Sequence, residues 1–180
     1  MPGAESGNTD SFFRSDGTWS TEYVKDYVTA GRKSGSTLGS NATVEGSENI
    51  ASGQYSHAEG YSVTSTGLAT HAEGVNTAAT SSASHAEGQF TVASGDNSHA
   101  EGSYTIANHL AQHVFGEYNI EDPNSASSTA RGNYIEIIGN GTSIIARSNA
   151  RTLDWNGNEI LAGKLTVGSS PTNNMDVATK

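Results

Sequence analysis

The stretch Ser56-His57-Ala58-Glu59-Gly60 returns as Thr70-His71-Ala72-Glu73-Gly74, as Ser84-His85-Ala86-Glu87-Gly88 and as Ser98-His99-Ala100-Glu101-Gly102. The frame extends both ways from there. Turn glycines fall at Gly46, Gly60, Gly74, Gly88, Gly102 and Gly116, glutamates at Glu45, Glu59, Glu73, Glu87 and Glu101, and histidines at His57, His71, His85, His99 and His113. Val44 and Val114 fill the alanine place in the outer units. A second, weaker box lies seven residues before each glycine, at Gly39, Gly53, Gly67, Ser81, Gly95 and His109, with Thr37, Ala51, Ser65, Ala79, Ala93 and Ala107 two places ahead of it. Each 14-residue unit therefore reads as two half-turns of about seven, a short strand and a bend in each. That is the pattern of a solenoid, in which every coil stacks on the next.

Residue sizes give the pattern its physics. Successive side chains of a strand face opposite sides, so Ser56 and Ala58 point one way and His57 and Glu59 the other. Serine and alanine are small enough to fill the interior of a flattened coil, which leaves the histidine–glutamate face looking outward. Glycine at the bends allows positive φ or a close backbone approach. With about 4.8 Å between stacked strands, six coils make a rod on the order of 29 Å long.

Composition agrees with a thin interior. Only 33% of the 180 residues are apolar, against roughly 45–50% in an ordinary soluble domain. A formal net charge of −10 speaks against a sequence-independent grip on nucleic acid, which needs clustered lysine and arginine. The chain has no cysteine, so neither disulfides nor thiolate metal sites staple it. The start, Met1-Pro2-Gly3-Ala4-Glu5, has neither a basic nor an apolar leader region, and no run approaches the ~20 apolar residues of a membrane span. The expectation is a chain that neither targets nor inserts itself into a membrane.

Three segments follow: an N-terminal junction and short helical stalk over 1–35, a repeat domain of about six coils over 36–122, and a C-terminal module over 123–180 with the start of another stalk. Ser20 or Thr21 is placed to cap a short helix, on which Tyr23, Val24, Tyr27 and Val28 form one apolar stripe. Beyond Asp122-Pro123 the repeat stops in the sequence. Tyr134-Ile135-Glu136-Ile137-Ile138 and Thr142-Ser143-Ile144-Ile145-Ala146 flank Gly139-Asn140-Gly141, which predicts a hairpin there, and Asn156-Gly157 signals a second turn.

The alternating boxes at this period resemble the head repeat of trimeric autotransporter adhesins of the YadA type. The form Ser-His-Ala-Glu-Gly, closed by Gly116-Glu117-Tyr118-Asn119-Ile120-Glu121-Asp122, is similar to repeat regions of phage and prophage tail and fibre proteins of Gram-positive bacteria. Phe12-Phe13-Arg14-Ser15-Asp16-Gly17-Thr18-Trp19 resembles junctions of tail-fibre proteins, in which the aromatics tuck into a trimeric stalk. Arg147-Ser148-Asn149-Ala150-Arg151-Thr152-Leu153-Asp154-Trp155-Asn156-Gly157-Asn158 resembles the segment that follows such repeats. The likeness runs from about 36 to about 168. It implies an all-β fold, a left-handed parallel β-roll in a homotrimer, whose partners are other tail or baseplate proteins and a host cell-wall glycan or surface protein. The location it implies is the virion tail, assembled in the host cytoplasm and exposed outside, or, in the adhesin reading, the bacterial cell surface. In the adhesin family the positions flanking the central alanine are mostly aliphatic and face neighbouring chains. Here they are polar, which places His57, Glu59, His71, Glu73, His85, Glu87, His99, Glu101, His113 and Phe115 at the expected trimer interface.

The repeated histidine–glutamate pairs allow three uses. The favoured one is a polar seam in which each histidine hydrogen-bonds a neighbouring glutamate. A ladder facing solvent is another. Metal binding is the third, because imidazole and carboxylate two residues apart share a strand face and suit zinc or nickel; the candidate ligands are His57, Glu59, His71, Glu73, His85, Glu87, His99 and Glu101. The expectation is no metal and no cofactor. In the seam reading a nearby carboxylate raises the histidine pKa, so that the trimer melts lower at pH 9 than at pH 6.5. No catalytic residue is expected, since a catalytic pocket needs differentiated groups and these recur in near-identical coils. Asp154 and His113 carry no such role singly. Tyr55, Tyr61, Phe90, Tyr104 and Tyr118 occupy variable slots, suited to stacking on sugars or, more simply, to packing between coils. The functional expectation is a structural tail-fibre or baseplate-fibre segment that projects and contributes to host-surface binding, with an adhesin head as the alternative.

Overall fold

A computed structural model describes residues 12–13, 19–20 and 31–164. Within them the chain is all β and winds into a parallel solenoid with a 14-residue coil. The expected N-terminal helix lies outside the described residues. Near it, β1 (Phe12–Phe13) and β2 (Trp19–Ser20) pair antiparallel.

Each coil alternates a five-residue strand with a two-residue strand. The long strands are β3 (Thr43–Ser47), β5 (His57–Tyr61), β7 (His71–Val75), β9 (His85–Gln89), β11 (His99–Ser103) and β13 (His113–Glu117). The short ones are β4 (Ile50–Ala51), β6 (Thr64–Ser65), β8 (Ala78–Ala79), β10 (Val92–Ala93) and β12 (Ile106–Ala107). Pairing is in register throughout, His on His, Ala on Ala, Glu on Glu and Gly on Gly. A one-residue slip would turn the alanine column outward and the histidines inward, so the small interior fixes the register.

The core is a set of thin columns. Ala58, Ala72, Ala86 and Ala100 are fully buried, as are Ala51, Ala79, Ala93 and Ala107 on the facing sheet. A further column runs Asn49, Val63, Thr77, Thr91, Thr105, Asn119, all buried. Between strands the chain bends at a residue with φ between 41° and 58°, and these residues recur every seventh position from Asn41 to Tyr118. None is glycine, and the left-handed conformation costs an ordinary residue roughly 1–3 kcal/mol. Hydrogen bonds hold them there: the N–H groups of Ala69, Asn76, Ala83 and Phe90 each donate to a carbonyl of the preceding coil, at 2.8–3.0 Å.

The glycine column is required by contact. Gly88 has φ 105°, and a Cβ on it would lie 2.2 Å from the Gly102 carbonyl oxygen. No side chain fits between coils at that corner.

The ladder outlasts the sequence repeat. β14 (Tyr134–Asn140) stacks parallel on β13, with Glu136 opposite His113, Ile137 opposite Val114 and Gly139 opposite Gly116. This rung comes 23 residues after His113 rather than 14 (136 − 113). The hairpin expected around Gly139-Asn140-Gly141 is therefore corrected. Gly139 continues the glycine column, where a Cβ on Gly116 would meet its carbonyl oxygen at 2.3 Å, and β14 runs through Asn140. Its antiparallel partner is β15 (Asn149–Asp154), while 142–146 forms a tight loop with one Ser143–Ala146 bridge. The second turn stands where Asn156-Gly157 predicts it, joining β15 to β16 (Glu159–Leu161). There the Asp154 carboxylate accepts from the backbone N–H groups of Asn156 and Asn158, both at 2.8 Å. These bonds, with the Asn158 side-chain amide foremost, hold the Asp154 carboxyl below its ordinary pKa.

Candidate functional site: the histidine–glutamate ladder

Strand alternation places His57, His71, His85 and His99 on the outer face beside a glutamate, with the buried alanine between them. In-register stacking then does what the sequence spacing implies. The five imidazoles form one column, ring centroids 4.6–5.0 Å apart and planes within 15° of parallel. Phe115 takes the glutamate position of the last coil and lies 5.1 Å from the His113 ring, while Glu136 takes the histidine place on the next rung. Alongside runs an open groove floored by the turn glycines and walled by Glu59, Glu73, Glu87 and Glu101.

The expected hydrogen-bonded seam does not form within one chain. The shortest imidazole–carboxylate approaches are His99 Nε2 to Glu87 at 3.5 Å, His113 Nε2 to Glu101 at 3.8 Å and His71 Nε2 to Glu73 at 3.9 Å. These exceed the roughly 2.7–3.2 Å of a hydrogen bond to nitrogen. The Nε2 atoms of all five stacked histidines are closed off from solvent and have no hydrogen-bond partner among the described residues. Buried polar atoms are nearly always satisfied, and this row is an exception to that rule.

The electrostatics differ from expectation at the centre of the column. The pKa of His85 is lowered, first by burial, then by the flanking His99 and His71, and Glu87 and Glu73 do not offset these. An imidazole between two imidazoles gains nothing by protonating. The expectation of a carboxylate-raised pKa is reversed there.

The sixth histidine stands apart. His109 occupies a place in the second glycine column, is buried, and its ring nitrogens meet Asn108 Oδ1 at 2.7 Å and the Ser125 carbonyl at 3.1 Å. It anchors the insertion that delays the last rung. The aromatic slots divide: Phe90, Tyr104 and Tyr118 stack at 4.5 and 4.6 Å along one left-handed corner, while Tyr55 and Tyr61 are each 55% exposed.

Two further features have fainter signals in the sequence. Asn49 and Asn119 stand five repeats apart (119 − 49 = 70) in a column otherwise of valine and threonine. The Asn119 amide accepts from Ile106 N–H at 2.8 Å and donates to the Ile106 carbonyl at 3.2 Å. The Asn149 amide does the same for Ile120, at 2.7 and 3.0 Å. Side-chain amides thus stand in for strand backbone where the short-strand sheet ends, blunting an edge that would otherwise invite pairing.

Set against known proteins, the chain matches no family model, no curated protein and no solved structure.

Proposed function

We propose that this chain is a structural, non-enzymatic segment of a phage-type tail fibre or baseplate fibre, three copies of which associate through the histidine–glutamate face. The observation that carries the reading is the outward histidine–glutamate face, repeated in register along one side of a regular rod. Such a face is suited to close apposition of neighbouring chains, and identical coils suit it to projection and spacing rather than to a single differentiated pocket. The resemblance of the Ser-His-Ala-Glu-Gly units and of the segment 147–158 to tail-fibre sequences supplies the biological setting. Host-surface contact, with a wall glycan or a surface protein, falls in this reading to the less regular residues, among them the exposed Tyr55 and Tyr61.

Sedimentation equilibrium tests the assembly: the expected mass is three times the 18.6 kDa of the chain, and a monomer at micromolar concentration would overturn it. Immunogold imaging tests the setting. Label at the tail end of virions or injection devices is the expected result, whereas label on bare cell surfaces would replace it with the adhesin-head reading.

A further inference from the structure

We propose that the histidine–glutamate face is a ladder of binding sites for divalent transition-metal ions of the zinc class. One ligand set is His57, Glu59 and His71, and a second, sharing none of these, is Glu73, His85 and Glu87; the ligand atoms within each set lie within 4.8 Å of one another. A third, Glu87 with His99 and Glu101, shares a carboxylate with the second.

Three observations meet here. The first is distance. In the third set, His99 Nε2 and the Glu87 carboxylate stand 3.5 Å apart, too far to hydrogen-bond, yet two ligands on one tetrahedral zinc, each at about 2.0–2.2 Å, stand about 3.4 Å apart. The second is the Nε2 row, which has no hydrogen-bond partner among the described residues, with a carboxylate within 4 Å of the Nε2 of His71, His99 and His113. The third is charge. Four glutamates stack in register along the groove, and among the described residues no lysine or arginine pairs with them; the arginine–carboxylate pairs are those of Arg151 with Glu136 and Glu159. Mixed imidazole and carboxylate donors select zinc, nickel, cobalt or copper over calcium and magnesium, which take oxygen-only shells. The strand repeat sets the spacing of the sites. The inference stands on one chain's own residues and does not rest on the fibre reading.

The test uses the untagged full chain, stripped with chelator, incubated with Zn²⁺ and freed of loose ions by gel filtration. At least one zinc per chain is expected by elemental mass spectrometry, with a melting midpoint several degrees above that of the stripped protein. X-ray absorption at the zinc edge should find imidazole in the first shell. The variant Glu59→Gln/Glu73→Gln/Glu87→Gln/Glu101→Gln, which keeps side-chain shape and removes the repulsion, should lose both the zinc and the shift while retaining its β circular dichroism. Less than one ion per chain, an oxygen-only shell, or undiminished uptake by the folded variant would overturn the proposal. The oxygen-only shell decides the matter even where the variant fails to fold. A protein that takes up zinc as a monomer would uphold this inference while refuting the trimer.

Discussion

The roll of residues 43–119 and the segment of 120–161 that follows it share one ladder and are held by different means. In the roll, coil is joined to coil mainly by backbone hydrogen bonds, as from His57 N–H to the Thr70 carbonyl and from His85 N–H to the Ser98 carbonyl. In the following segment, individual side chains carry the order. The Asp122 carboxylate accepts from the N–H groups of Asn124 and Tyr134, Arg147 donates to the carbonyls of Tyr104 and Asn119, and Trp155 Nε1 donates to the Gly132 carbonyl beneath the Arg131 guanidinium. A periodic structure needs position more than chemistry. Its end needs chemistry, because the next coil is missing.

If that is right, the roll should be most vulnerable where it has no room. Gly88→Ala puts a Cβ 2.2 Å from a backbone oxygen at φ 105°; shift of the neighbouring coil propagates both ways, and a loss of about 3 kcal/mol or more is expected. Chemical denaturation of the variant measures it. A loss under about 1 kcal/mol would mean that the coils can part locally, and the contrast between the two regions would weaken.

The following segment should break by loss of a single donor. Arg147 makes hydrogen bonds of 2.9 and 3.0 Å to two carbonyls on successive coils, so Arg147→Ala is expected to cost about 2 kcal/mol. Hydrogen exchange should rise at 134–161 and stay low at 57–103. Uniform exchange across both regions would show that they unfold as one unit.

What was legible in the sequence follows the same divide. The 14-residue period, the buried alanines and the glycine column were readable because each position repeats its environment, and a side chain's size is enough to say which way it faces. The last rung was not, because 23 residues rather than 14 separate Glu136 from His113. Gly139-Asn140-Gly141 carries the composition of a turn while its first glycine serves the column. Nor did the left-handed corners announce themselves: Tyr55, Ala69 and Phe90 are poor residues for that conformation, held there by bonds from another coil. At the ladder, the stacking of five histidines was implicit in the spacing. The consequence for His85 was not, because it depends on burial and on neighbours above and below, which a single strand does not display.

A smaller effect sharpens the account of the interior. Thr77 and Thr91 bury hydroxyl oxygens with no partner, in a column where Val63 already stands. Thr91→Val replaces the hydroxyl by a methyl of similar shape and removes a desolvation cost, for an expected gain of about 1 kcal/mol. A destabilised variant would show that the hydroxyl is satisfied in solution, by a route other than the chain's own groups.

The smallest expected effect concerns pH and reverses the sense drawn from the sequence. A histidine whose folded pKa is lowered, as His85's is by burial and by His99 and His71, favours folding fully above its unfolded pKa of ~6.5 and loses that contribution as pH falls below it, where the unfolded chain binds the extra proton. The chelator-treated protein should therefore melt at a lower temperature at pH 5.5 than at pH 7.5, by an amount reduced by the partial exposure of the ring. His85→Gln should flatten the difference. A melting point that instead rises on acidification would mean that Glu73 and Glu87 outweigh burial and the two flanking imidazoles at His85.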